Sequence, residues 1–223
     1  MILERRDFPT LESLAQALAD FLAEALRTAL IHKPLASLAV SGGQTPKRVL
    51  PLLAAADLDW SRIVVTLTDE RWVPQDHPDS NEALTRALLP VPPARFVSLY
   101  GGETTPRAGW AAAEARLGTV PWPLDAVFLG MGADGHFASL FPGDSALSVQ
   151  RSRSAPARAP NPPQSRSTLT YQSFIEAGRL ALAVTDAAKR AALAKAMAVG
   201  PVAEAPLRLL EPRTQPLVAF VLS

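Results

Sequence analysis

Acid–base chemistry has one promising centre in this chain. It is His136, in the stretch DAVFLGMGADGHFASLFPG from Asp125 to Gly143. Asp134 stands two residues earlier, close enough to orient the imidazole and fix its tautomer, which leaves the other ring nitrogen as a free base for activating water. Gly130, Gly132 and Gly135 loosen the backbone around the pair. Ser139 follows as a candidate nucleophile, but no GxSxG elbow surrounds it, so capping or packing is its better reading. A lone loop histidine is usually structural, so His136 needs partners from elsewhere in the chain.

Two other stretches offer them. SGGQTP (Ser41, Gly42, Gly43, Gln44, Thr45, Pro46) has the glycines and the helix-starting proline of a phosphate cradle. The hydroxyls of Ser41 and Thr45 are possible donors, and Thr45 is the expected N-cap. The loop is neither GxxxxGK[ST] nor GxGxxG, which disfavours ATP and NAD. TDERWVP crowds Asp69, Glu70 and Arg71 together. The arginine offers a planar fork for phosphate or carboxylate, and the plain alternative is an ion-paired strand end.

The surrounding pattern explains how such loops would meet. Short apolar runs at 35–40, 63–68, 96–100, 126–129, 180–184 and 217–222 read as strands buried on both faces. Amphipathic stretches at 11–30, 46–56, 80–89, 107–117 and 186–199 read as helices, with Ser80 or Asn81 capping the third and His77 on an exposed turn. The alternation predicts an α/β fold, a mostly parallel Rossmann-like sheet flanked by helices on both faces, in a single domain spanning 1–223. In such sheets ligands bind beyond the carboxyl ends of the strands. SGGQTP, TDERWVP and GMGADGH all follow strands. The segment at 151–167, RSRSAPARAPNPPQSRS, breaks the pattern. It reads as an extended, solvated loop, or as one whose arginines fold back onto an anionic ligand.

Composition narrows the classes. Across 223 residues the net charge is +1, so any anion binding must be local rather than a global pull toward nucleic acid or membrane. There is no cysteine, and the 3 histidines show no zinc-type spacing. No signal peptide or transmembrane run is evident, so a cytoplasmic location is the expectation.

Taken in order, SGGQTPKRVL, TDERWVPQDHPDSNEALTRALL and LGMGADGHFASLFPG, with PPQSRSTLT and VTDAAKRAAL more weakly, resemble 6-phosphogluconolactonases. These share a superfamily with the glucosamine-6-phosphate deaminases/isomerases. The resemblance runs from about residue 35 to 195. It implies hydrolysis of 6-phospho-D-glucono-1,5-lactone to 6-phosphogluconate in the oxidative pentose phosphate pathway, without metal or cofactor, by a monomer or weak homo-oligomer. By position it makes His136 the general base and puts Asp134 and Asp69 in the polar cluster. Ser41, Gly42, Gly43, Gln44 and Thr45 fall in the substrate loop, and Arg71, Arg166 and Lys189 on the phosphate side. Gln44 stands where the family often has a hydroxyl residue, Asp186 where it often has glycine, and the chain closes on LVAFVLS without the aspartate that often follows.

The rival within the superfamily is an isomerase/deaminase, with Asp69 as enolising base. Those enzymes resemble DGHIAFNEP. Here DGHFASLFPG has no acid between Phe137 and Gly143, which favours the lactonase. A sugar-phosphate sensor on the same fold would not need Asp134 and His136.

Overall fold

The computed structural model describes residues 1–91 and 94–223. Its main sheet contains β1 (Leu3–Phe8), β2 (Ala36–Val40), β3 (Ile63–Leu67), β5 (Arg95–Val97), β6 (Ala126–Gly130), β9 (Arg179–Val184) and β10 (Leu217–Leu222). Every pairing in it is parallel. A second, antiparallel sheet contains β4 (Asp69–Arg71), β7 (Ser154–Arg158) and β8 (Ser165–Leu169). Among the described residues, six α-helices accompany them: α1 (Leu11–His32), α2 (Pro46–Ala54), α3 (Asn81–Leu88), α4 (Pro106–Leu117), α5 (Tyr171–Ile175) and α6 (Ala187–Met197). This is the expected α/β architecture, a mostly parallel sheet flanked by helices. No helix of the described residues is long and apolar enough to cross a membrane.

The strands form where apolar residues can be covered on both faces. ASLAV in β2 and IVVTL in β3 are buried at every position, as parallel sheets require. In α1, Leu14, Leu18, Leu22 and Leu26 recur every fourth residue and are fully buried. Thr10 caps this helix by accepting from the Ser13 N–H at 3.1 Å. Truncating one of those leucines to alanine costs roughly 2–5 kcal/mol.

Three expectations change. The strand β1, LERRDF, was not among the expected ones: its charges mask it. It pairs with β10 at the sheet edge, where Arg5–Asp7 and Arg6–Glu4 ion pairs discourage further strand pairing. The strand expected at 96–100 is only Arg95–Val97. The 151–167 segment is not a solvated loop. It supplies β7 and most of β8, which carry buried Ser154, Ala155, Arg166 and Ser167.

Strand order in the main sheet is β1-β10-β9-β6-β2-β3-β5. From β2 the chain builds outward through β3 and β5, then returns to β6 on the other side of β2. The order therefore reverses between β2 and β6, and a crevice opens beyond their carboxyl ends. The loops leaving these two strands are SGGQTP and GMGADGH. The chain after β3 turns directly into β4, which brings the second sheet to the same crevice.

Candidate active site

At the reversal lies an open cleft of about 720 Å³. All the site residues singled out from the sequence line it: Ser41 to Thr45 from the loop after β2, Asp69 and Arg71 from β4, Asp134 and His136 from the loop after β6, Arg166 from β8 and Lys189 from α6.

On one side, Nδ1 of His136 lies 2.6 Å from Oδ1 of Asp134. The His136 backbone N–H donates to the same oxygen at 3.2 Å. The imidazole contact holds the Asp134 carboxyl below the usual carboxylate range, against the opposing effect of burial. A carboxylate only accepts, so this contact assigns the proton to Nδ1 and leaves Nε2 as the basic nitrogen. The ring also packs against Phe141, with centroids 4.5 Å apart. Gly132 is required by close approach: a Cβ there would overlap Cε1 and Nδ1 of His136. Ala138, two residues past the histidine, sits in the left-handed region at φ 50°. That strain in a non-glycine residue is borne at the cleft wall.

Across the cleft, antiparallel pairing of β4 with β8 sets Arg71 opposite Arg166. Arg71 donates from Nη1 to the Asp79 carbonyl at 2.7 Å. The Nε groups of both arginines are buried and find no partner among the described residues. Burial, and then the charge of Arg71, lower the affinity of the Arg166 guanidinium for its proton. Two crowded, under-satisfied guanidinium groups make a strong site for a multivalent anion. Lys189 reaches the same cleft. Its Nζ lies 3.0 Å from Thr185 Oγ1 and 3.4 Å from Asp186 Oδ2. Asp186 also caps α6 through the Lys189 N–H.

Between the two sides the loop hydroxyls are mostly spent. Gly130 N–H donates to Ser41 Oγ at 3.2 Å, and Ser41 Oγ meets Thr68 Oγ1 at 2.7 Å. Thr68 Oγ1 donates to Asp69 Oδ1 at 3.2 Å, and Ser139 Oγ donates to Asp69 Oδ2 at 2.6 Å. Ser41 thus lines the cleft with its hydroxyl already engaged by Thr68 and the Gly130 N–H. Thr45 does not cap α2 with its side chain, because its own φ/ψ (−63°, −41°) is already helical.

Behind the cleft wall, Glu70 has a role that its place in TDERWVP did not specify. Glu70 accepts from the N–H groups of Arg71 (2.7 Å), Asn81 (2.7 Å) and Glu82 (2.8 Å) and from Ser80 Oγ (3.1 Å). Burial pushes its carboxyl up to about 7 against those four donors. It anchors the start of α3, which Ser80 caps through the Ala83 N–H. Asn81 donates from Nδ2 to the Asp69 carbonyl at 2.9 Å, and its Oδ1 occupies the space a side chain at Gly42 would need. The β7–β8 turn, through Ala159 to Pro162, forms another wall. The cap expected at Ser80 or Asn81 lies beside Glu70. Nothing in the one-dimensional pattern pointed to Glu70 as its anchor. His77 sits on the expected turn, accepting the Asp79 N–H at Nδ1.

A family model described as glucosamine-6-phosphate isomerases/6-phosphogluconolactonase matches residues 9–219. The chain belongs to this family. Among its relatives within the family, a Rhizobium meliloti protein named 6-phosphogluconolactonase is 40% identical over 211 residues, 91% of each chain. A Pseudomonas aeruginosa protein of the same name is 41% identical over 202 residues, covering 87% of this chain and 85% of the relative. The crystal structure of a 6-phosphogluconolactonase from Shewanella baltica superposes with a TM-score of 0.92 at 31% identity, covering 99% of this chain and 97% of that one.

Proposed function

We propose that the protein hydrolyses 6-phospho-D-glucono-1,5-lactone to 6-phospho-D-gluconate, with His136 as general base. The observation that carries this reading is the pairing, within one cleft, of an Asp134-oriented imidazole with the Arg71–Arg166 anion site. The names of the relatives agree with it.

The chemistry follows from the groups present. A six-membered lactone is an activated ester, so attack at C1 needs only an activated water. Nε2 of His136 takes a proton as the water oxygen bonds to C1. The former carbonyl oxygen gains negative charge, for which amides of the glycine loops are the nearby donors. When the C1–O5 bond breaks, the imidazolium returns its proton to the ring oxygen. Asp134 holds the Nδ1–H and steadies the charged ring between these steps. The phosphate, bound by Arg71, Arg166 and Lys189, spends its binding energy on placing C1 over the histidine.

The test follows lactone hydrolysis against the spontaneous background, beside a deamination assay with glucosamine-6-phosphate. Wild-type protein should accelerate the first and not the second, and His136→Ala should lose the acceleration. Activity in the deamination assay alone would reverse the assignment, and near wild-type hydrolysis by His136→Ala would remove the histidine from its role.

A further inference from the structure

The hydroxyl chain along the cleft wall has a direction. Each serine or threonine hydroxyl holds one proton. Thr68 gives its proton to Asp69, so the 2.7 Å contact between Ser41 and Thr68 must be donated by Ser41, which in turn accepts from the Gly130 N–H. Ser139 gives its proton to the other Asp69 oxygen at 2.6 Å, while its own N–H donates to Thr168 Oγ1 at 3.2 Å. The segments after β3 and β6 thus each donate a hydroxyl proton to one carboxylate, and the loop after β2 joins the chain through Ser41 and Thr68. Ser139 and Thr68 are fully buried, and Asp69 keeps only 7% of its surface. That remainder lines the cleft.

We propose that Ser139 is a positioning residue that commits Asp69 to receiving hydroxyl hydrogen bonds from the ligand. A carboxylate offers about four acceptor sites. Ser139 and Thr68 take one on each oxygen, lock the plane of the group, and leave about two for a ligand. No Lys, Arg or His forms an ion pair with Asp69 within 4.0 Å among the described residues, although its charge is felt by Arg166. A fixed, acceptor-only group suits a polyol, whose hydroxyls donate, and leaves the anionic end to Arg71 and Arg166, farther along the same strand pair. The same geometry gives Ser139 a wall role: its hydroxyl proton is held by Asp69 and its side chain is fully buried at the cleft lining. The inference rests on the reading of the cleft as a sugar-phosphate site.

Calorimetric binding of 6-phosphogluconate and of inorganic phosphate tests it on wild type, Ser139→Ala, Asp69→Asn and the double variant, with melting curves to verify folding. Ser139→Ala should weaken 6-phosphogluconate about tenfold, as loss of a charge-assisted hydrogen bond implies. It should leave inorganic phosphate unchanged and add less than about twofold in the Asp69→Asn background. In lactone turnover the loss should fall on KM, with kcat within about twofold. Additive losses, or equal weakening of both ligands, would overturn the proposal. Should Ser139→Ala not fold, Thr68→Val removes the second donor at constant shape and is read by the same two outcomes. Wild type that binds 6-phosphogluconate without hydrolysing the lactone would sink the proposed reaction and leave this inference standing. Wild type that binds phosphate but not 6-phosphogluconate would overturn the inference.

Discussion

Asp134 and His136 are neighbours in sequence and meet at 2.6 Å within one loop. Arg71 and Arg166 come from strands far apart in the chain and face each other only because β4 pairs with β8. The first pair is self-contained: each member satisfies the other, and the carboxylate gains from the contact. The second pair is the opposite, two like charges crowded together, Arg166 buried and Arg71 half-buried, with Nε groups that find no partner among the described residues. A local acid–base pair can be in working order before substrate arrives. A crowded cationic pair is costly until an anion joins it. On the proposed function, the contrast separates a side of the cleft for turnover from one for capture.

The sharpest way to break this division is His136→Ala. General-base loss should cut kcat roughly 10²–10⁴-fold, with phosphate affinity within a few-fold by calorimetry. A matching collapse of phosphate binding would show that the two sides are not separable. Gly132→Ala probes the same side without removing a functional group. Its methyl must displace the imidazole, and a misplacement near 1 Å can cost roughly 10²-fold in kcat. Unchanged turnover would mean that the ring is free to move.

Arg166→Met addresses the capture side. KM should rise roughly 10- to 100-fold for loss of charged hydrogen bonds, with kcat changed much less. In the absence of ligand the same variant should melt higher, by about 2–4 °C for each kcal/mol of relieved repulsion and desolvation. A lower melting temperature would show that the arginine pair is already compensated in the free protein.

The smallest effect concerns Glu70, next to Arg71. Its carboxyl has an ordinary value of 4.5 and is pushed up to about 7 in the fold, chiefly by burial. The folded state therefore holds this proton more tightly than the unfolded chain does. The stabilisation it brings is full below about pH 4.5 and is lost as pH rises through about 7. Glu70→Gln should flatten that part of the melting-temperature profile between pH 5 and 8. Parallel profiles for the two proteins would mean that the four donors outweigh burial. Asp134 has the opposite sign, since His136 holds its carboxyl low. Its share of stability is present above its ordinary range and is lost as pH falls below it.

Much of the fold was legible because buried parallel strands and amphipathic helices leave short-range periodic traces. Val40, Leu67 and Leu129 announce the strand ends that carry the three loops. What stayed hidden has few neighbours in sequence to reveal it. The edge strand β1 is masked by charges on its exposed positions, and β4 is only three residues long. The second sheet forms from a proline- and arginine-rich stretch whose composition reads as a solvated loop.

The Asp134–His136 dyad, the glycine-rich turns and the strand–helix alternation are encoded locally, since each depends on residues within a few positions of one another. That Arg166 faces Arg71, that Ser41 and Ser139 hydrogen-bond into the cleft wall, and that Glu70 anchors α3 are outcomes of the three-dimensional fold. Those outcomes depend on strand register and on which buried donor finds which acceptor. Register and burial are set by the packing of the whole sheet, and no local spacing encodes them.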